Sequence, residues 1–158
     1  MKTIVAVTLN KKSDFYNKYS QHQLSRDLSE YIYNECLGEN YKNHIIINIE
    51  CKTKISADEK HQMMDTIRRT YGLKVQDELY YYESGQQKKI LMLLFGLVLI
   101  IIYYSAFVSI LREIILILGW LDIWESVYSL MFDSRKDKIH ITRLKELAKA
   151  RIYFNDIN

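Results

Sequence analysis

Two long apolar stretches interrupt an otherwise polar chain of 158 residues. Residues 90–110 carry no charged side chain, and a helix of about 20 apolar residues spans a hydrocarbon core of roughly 30 Å. A second apolar stretch, residues 114–132, follows directly after Arg112 and Glu113. The pattern predicts two membrane-spanning helices joined by a tight turn at residues 111–113, and therefore an adjacent, antiparallel pair.

The second stretch has another interpretation, an amphipathic helix lying in the membrane interface. Two basic clusters favour two spans, because Lys88 and Lys89 precede the first stretch and Arg135 and Lys136 follow the second. Cytoplasmic flanks of membrane spans are enriched in Lys and Arg, and only a hairpin places both clusters on that side. We therefore predict an integral protein of the inner (plasma) membrane with both termini in the cytoplasm.

The predicted second span has one small, acidic face and one aromatic face. The acidic face holds Asp122, Glu125 and Ser126, and the aromatic face holds Trp120, Trp124 and Tyr128, which resemble interfacial anchors. A charged Asp at the bilayer centre costs roughly 2.5–3.5 kcal/mol on insertion scales. We therefore expect Asp122 to hydrogen-bond to Tyr103 or Tyr104 of the first span, or to Asp122 of another copy. The acids either pack only or form a proton or cation path.

The N-terminal segment, residues 1–84, has the pattern of a small α+β domain. Residues 4–9 are rich in β-branched side chains, and residues 44–51 alternate between apolar and polar, so both predict strands. A helical apolar spacing lies between them, and Ser56 with Glu59 forms a capping box that starts a second helix ending at Gly72. Residues 73–82 alternate and are interpreted as a third strand, with a helix leading into the membrane as the alternative. The expected fold is a two-layer βαβα(β) sandwich.

Candidate chemistry in this domain is sparse. Cys36 and Cys51 do not form a disulfide framework, and the four histidines are scattered without metal-ligand spacing. Asp58, His61 and Asp65 share one helical face, which we interpret as solvated rather than metal-binding. Nucleophile–base pairs and phosphate-binding glycine loops are missing from the sequence. We therefore predict a protein without catalytic residues, metal or cofactor.

The C-terminal segment, residues 133–158, is predicted to form a basic amphipathic helix in the cytoplasm. From residue 134 it contains seven Lys or Arg and three Asp or Glu. Such a helix binds anionic lipid headgroups on the inner leaflet more readily than nucleic acid. It has two alternatives, packing on the N-terminal domain or against another copy. The predicted headgroup contacts are Lys88, Lys89, Arg135, Lys136, Arg143, Lys149 and Arg151.

The run from Gly119 to Glu125, GWLDIWE, followed by a helix rich in Lys and Arg, resembles a group of uncharacterised bacterial membrane proteins. The resemblance covers residues 90–150. It implies a cytoplasmic α/β domain ahead of a two-span hairpin, and it implies no activity.

These patterns divide the chain into a domain (1–84), a basic junction (85–89), a hairpin (90–132) and a tail (133–158). We expect a non-enzymatic homo-oligomer that assembles through the hairpin and engages a cytoplasmic protein or signal. The alternative is a toxin or defence effector whose oligomer permeabilises the bilayer.

Overall fold

The structure, a computed structural model, describes residues 1–105 and 109–156 and has a mixed α+β fold. Its elements are β1 (Lys2–Leu9), β2 (Tyr16–Asn17), β3 (Ser20–Leu24), α1 (Arg26–Glu35), β4 (His44–Cys51), α2 (Ala57–Ser105), α3 (Ser109–Tyr128), α4 (Ser134–Ala148) and β5 (Arg151–Asp156). A 3₁₀ turn covers Lys12–Phe15, and a π-helical turn, Ser129–Asp133, joins α3 to α4. The chain divides into two compact units, one made of residues 1–77 with those from 139 onwards, the other of residues 78–138.

The first unit, called the α/β domain below, is built on a parallel sheet with the strand order β1-β4-β5. Val5 lies opposite Ile47, and Ile47 lies opposite Ile152 on the far side of β4. Along β1 and β4 every second side chain is buried, as expected for strands that cover a core with one face only. The β-branched content of residues 4–9 and the alternation of residues 44–51 therefore predict these two strands correctly.

The core of the α/β domain lies between this sheet face and three helices. Met63, Ile67 and Tyr71 of α2 are buried there together with Ile32 of α1 and Leu147 of α4. The Tyr71 hydroxyl donates a 2.8 Å hydrogen bond to the Ser29 carbonyl, and burial raises the pKa of Tyr71. Apolar burial of this kind supplies most of the free energy of folding in a small domain.

The predicted third strand at residues 73–82 is wrong, because α2 continues through this segment as helix. Gly72 does not end the helix either. A glycine inside a helix costs only about 1 kcal/mol relative to alanine, which a 49-residue helix tolerates. Tyr80 and Tyr81, which the alternation placed in a strand, lie exposed on α2.

The start of α2 is correctly predicted by the capping box. The Ser56 backbone N–H donates to the Glu59 carboxylate at 2.8 Å, and the Glu59 N–H donates to the Ser56 hydroxyl at 3.2 Å. Lys12 also pairs with Glu59 at 2.8 Å, and this hydrogen bond lowers the pKa of the Glu59 carboxyl. Between β1 and α1 the chain also forms the short antiparallel pair β2–β3.

The tail is not one helix. Helix α4 ends at Ala148, and residues 151–156 form β5, the third strand of the sheet, while residues 157–158 lie outside the described part. Ile141, Leu144 and Leu147, the apolar row of the predicted membrane-surface helix, are buried in the α/β domain. Of the alternatives for the tail, packing against the N-terminal domain is therefore the one observed.

Candidate membrane site

Two helical segments of the second unit are apolar enough to cross a membrane by length and composition. One is the last part of α2 and the other is α3 with the π-helical turn. Their apolar side chains are mostly exposed: Leu91 is 68% exposed and Ile101 66%. Soluble proteins rarely expose a continuous apolar surface of this size, so these two segments form the candidate site.

The two segments touch at a pair of glycines. A Cβ placed on Gly96 would lie 2.9 Å from Ile123 Cγ1 and 3.1 Å from the Gly119 carbonyl oxygen, and a Cβ on Gly119 would lie 3.3 Å from the Gly96 carbonyl oxygen. Small residues let helix backbones approach closely in membranes, where packing drives association. Gly119 lies on the predicted small face of the second stretch, whereas no prediction involved Gly96, although it is the single glycine of residues 90–110.

The contacts between the segments run in opposite chain directions. Ile100 packs near Gly119, whereas Lys89, earlier in α2, donates to the carbonyl oxygen of Ser129, later along the chain, at 3.5 Å. The segments are therefore antiparallel, and we call them the hairpin. The predicted turn at 111–113 is misplaced, because these residues lie inside α3, which begins at Ser109.

The shift of the turn changes the neighbours of Asp122. Its Cβ lies against Gly96, at 3.1 Å from the position of an added Cβ. Within residues 1–105 and 109–156, Asp122 has no hydrogen bond to Tyr103 or Tyr104, so the predicted bond within one chain is wrong. Tyr103 instead lies under the Arg112 guanidinium, 4.5 Å from the ring centroid. A contact between Asp122 side chains of two copies stays a prediction.

A small polar network closes the other end of the hairpin. The Gln86 amide donates to the Ser134 hydroxyl, and the Ser129 hydroxyl donates to Asp133 at 3.0 Å. Ser126, one turn before Ser129, is only 2% exposed, and its hydroxyl has no hydrogen-bond partner in the described part. Ser126 therefore belongs to the packed inner face of the hairpin.

The remaining side chains of the predicted acidic and aromatic faces point outwards. Trp124 is 68% exposed, Trp120 and Tyr128 are more than half exposed, and Glu125 is exposed as well. The acidic face is thus split, with Ser126 inside, Asp122 half-buried and Glu125 outside.

The basic residues predicted to contact lipid headgroups have different environments. Lys88, Arg135 and Lys136 are exposed at one end of the hairpin, and Lys89 is half-buried beside Ser129. These positions are open to headgroups, and that contact stays a prediction.

The structure contradicts the predicted contact of Arg143 with lipid headgroups. It is buried in the α/β domain, and its Nη2 donates to the carbonyl oxygens of Leu37 at 3.4 Å and Glu39 at 3.2 Å. Both carbonyls belong to the segment between α1 and β4, so the guanidinium closes that segment and is not available to a membrane surface.

Lys149 and Arg151 are exposed on the α/β domain. Together with Lys2 and His44, at the starts of β1 and β4, they line an open cavity of about 360 Å³. Glu146 lines it too and approaches His44 Nδ1 at 3.1 Å. This cavity is the most basic of the described ones.

Comparisons with known proteins identified no relative of this chain. Neither a family model, nor a curated protein, nor a solved structure matches the chain. The resemblance to bacterial two-span proteins therefore stays a prediction from residues 90–150.

Proposed function

We propose that the chain is an integral membrane protein whose hairpin crosses the bilayer twice. The observation that carries the proposal is the direct pairing of β4 with β5. The chain leaves the sheet after β4, leaves the α/β domain within α2, passes through both apolar segments and returns to the same sheet as β5. Both ends of the hairpin are thus on one side of any membrane, and the number of crossings between them is even.

The exposed apolar surface supports two crossings rather than none. In water it would be a strong aggregation liability, whereas in a hydrocarbon core it is the expected surface of a span. The exposed Lys88, Arg135 and Lys136 lie together at the end of the hairpin that joins the α/β domain. By the positive-inside rule that end, the domain and both termini are cytoplasmic, so we propose the inner (plasma) membrane as the location.

The function that we propose is non-enzymatic: the protein assembles through its hairpin and engages a cytoplasmic protein or signal through the α/β domain. Two features support a binding role. The last strand of the domain is contributed from beyond the hairpin, so the chain connects the domain to the membrane anchor at both ends of the hairpin. The basic cavity at the start of the strands also offers a surface for an anionic group of a partner.

An extraction experiment tests the membrane proposal. We expect the full chain to stay in the membrane pellet after alkaline carbonate treatment and to enter solution only with detergent. Replacing exposed Leu94 and Leu97 of α2 by Lys should release it, because each charge near a span centre costs roughly 2.5–3.5 kcal/mol. Leu37→Lys, at an exposed site in the domain, is the matched control and should leave retention unchanged. Release of the unmodified chain by carbonate would reject the proposal.

A second candidate function rests on the acids of α3. Asp122 and Glu125 lie in the apolar surface of the hairpin, and intramembrane acids often mark ion or proton pathways. Under this alternative the protein is an effector whose oligomer permeabilises the bilayer. Overproduction would then depolarise cells, and Glu125→Gln would remove the depolarisation without removing the protein from the membrane. Overproduction without depolarisation favours the assembly function.

A further inference from the structure

Glu125 places a polar carboxyl on the outward, apolar surface of the hairpin. Its side chain is exposed, beside the exposed Trp124 and one residue before the fully buried Ser126. Within the described ranges 1–105 and 109–156 the Glu125 carboxyl has no hydrogen-bond or ion-pair partner. A single hairpin therefore presents a bare carboxyl on an otherwise apolar surface.

The depth of Glu125 makes this exposure costly in a bilayer. The exposed Arg112 and Arg135 bracket the second span and are about 35 Å apart along the helix, at 1.5 Å per residue. A hydrocarbon core is roughly 30 Å thick, and Glu125 lies about 15 Å from Arg135. Its short side chain cannot reach either headgroup layer from the middle of the core. Acidic residues at such depths almost always face another helix or a wet cavity.

We infer that a second copy of this chain covers the Glu125 face, and that the Glu125 carboxyls of the two copies hydrogen-bond to each other. This inference rests on the proposed membrane insertion and goes on to name the contact. Every copy inserts with the same sidedness, because β4 and β5 hold both ends of the hairpin on one side and the exposed Lys88, Arg135 and Lys136 make that side the cytoplasmic one. Glu125 of each copy therefore lies at the same depth in the bilayer. In a symmetric pair of copies, each Glu125 carboxyl is then the polar partner of the other.

The surroundings of Glu125 fit a contact between identical surfaces. Leu121, Trp124 and Tyr128 lie on the same outward face of α3, at spacings of three and four residues, and all are more than half exposed. We call Leu121, Trp124, Glu125 and Tyr128 the Glu125 stripe. Twofold packing of one stripe against its copy is isologous, buries the two aromatic rings, and leaves the glycine contact inside each hairpin undisturbed.

Disulfide cross-linking in native membranes tests this contact. Leu121→Cys, on the stripe, should give a covalent dimer on mild oxidation, whereas Leu94→Cys, equally exposed on α2 and off the stripe, should give several-fold less. Cys36 and Cys51 are buried in the domain, so neither should react.

Variants of Glu125 test its part in the contact. Adding Glu125→Leu to Leu121→Cys should lower the yield of the covalent dimer several-fold. Glu125→Gln should retain it, because an amide also donates and accepts. Val127→Ala, which is exposed on α3 away from the stripe, is the control for a side-chain truncation outside the contact.

The outcomes separate the contact from membrane insertion. Carbonate extraction of each variant reports insertion independently of the dimer. A Leu121→Cys protein that is fully inserted but does not cross-link, or a Glu125→Leu protein that cross-links as well as the parent, would overturn the inference and leave the hairpin proposal standing. Loss of membrane retention in the parent protein would instead reject the proposed function.

Discussion

Replacing Gly96 by Leu is expected to separate the two helices of the hairpin. The first atom of any side chain at this position meets Ile123 at 2.9 Å and the Gly119 carbonyl oxygen at 3.1 Å. A backbone oxygen cannot rotate away, so the helices themselves must move. Overpacking of this kind costs typically 1–3 kcal/mol in protein cores, and the helix pair has few other contacts to compensate for it.

Cross-linking across the hairpin measures this separation. Gln86 and Ser134 are hydrogen-bonded to each other, so the pair Gln86→Cys with Ser134→Cys should form a disulfide within one chain. Gly96→Leu should lower its yield several-fold. Gly85→Leu is the matched control on the same helix, since a Cβ there meets nothing within 4 Å, and leucine is the better helix former. Equal yields for the two leucine variants would show that the helices do not cross at Gly96.

Replacing Ile152 by Asp is expected to unfold the α/β domain. Ile152 is 9% exposed and pairs with Ile47 in the sheet, whereas its neighbour Tyr153 points to the open face and is 50% exposed. A carboxylate buried without a partner costs several kcal/mol, a large share of the roughly 5–15 kcal/mol that stabilises a typical domain. Tyr153→Asp places the same charge one residue along and should be tolerated.

The native cysteines report this unfolding. Cys36 and Cys51 are both buried, and burial raises the pKa of the Cys36 thiol to about 11, so both should be protected from maleimide in the native protein. We expect rapid labelling in Ile152→Asp and protection in Tyr153→Asp. If the tail were instead a helix on the membrane surface, Ile152→Asp would leave both thiols protected.

The strands that follow a strict alternation were predictable, and the strand that depends on distant pairing was not. Ile45, Ile47 and Ile49 identify β4 by themselves. β5 is short, mixes Arg, Asn and Asp with three apolar residues, and pairs with a strand about a hundred residues earlier. No local signal distinguishes it from a helix end, so the tail was predicted as helix throughout.

The two apolar helical segments were predictable from apolar length, but the register between them was not. The pair Arg112-Glu113 suggested the turn because charges are usually excluded from spans. The helix α3 tolerates them in its first turn, because it begins at Ser109. That small shift places Asp122 opposite Gly96 rather than Tyr103, which is why the predicted hydrogen bond failed. In the same way, the alternation in residues 73–82 fits one face of a long helix as well as it fits a strand.

The sidedness of three labelled positions tests the central claim most directly. Single cysteines would be placed, in a chain with Cys36 and Cys51 replaced by alanine, at three exposed sites: Tyr19 before the hairpin, Ile110 near its turn and Tyr153 after it. A membrane-impermeant maleimide should label Tyr19→Cys and Tyr153→Cys only from the cytoplasmic side, and Ile110→Cys only from the opposite side. Labelling of all three from one side would show that the hairpin does not cross the bilayer. Labelling of Tyr19→Cys and Tyr153→Cys from opposite sides would contradict the pairing of β4 with β5.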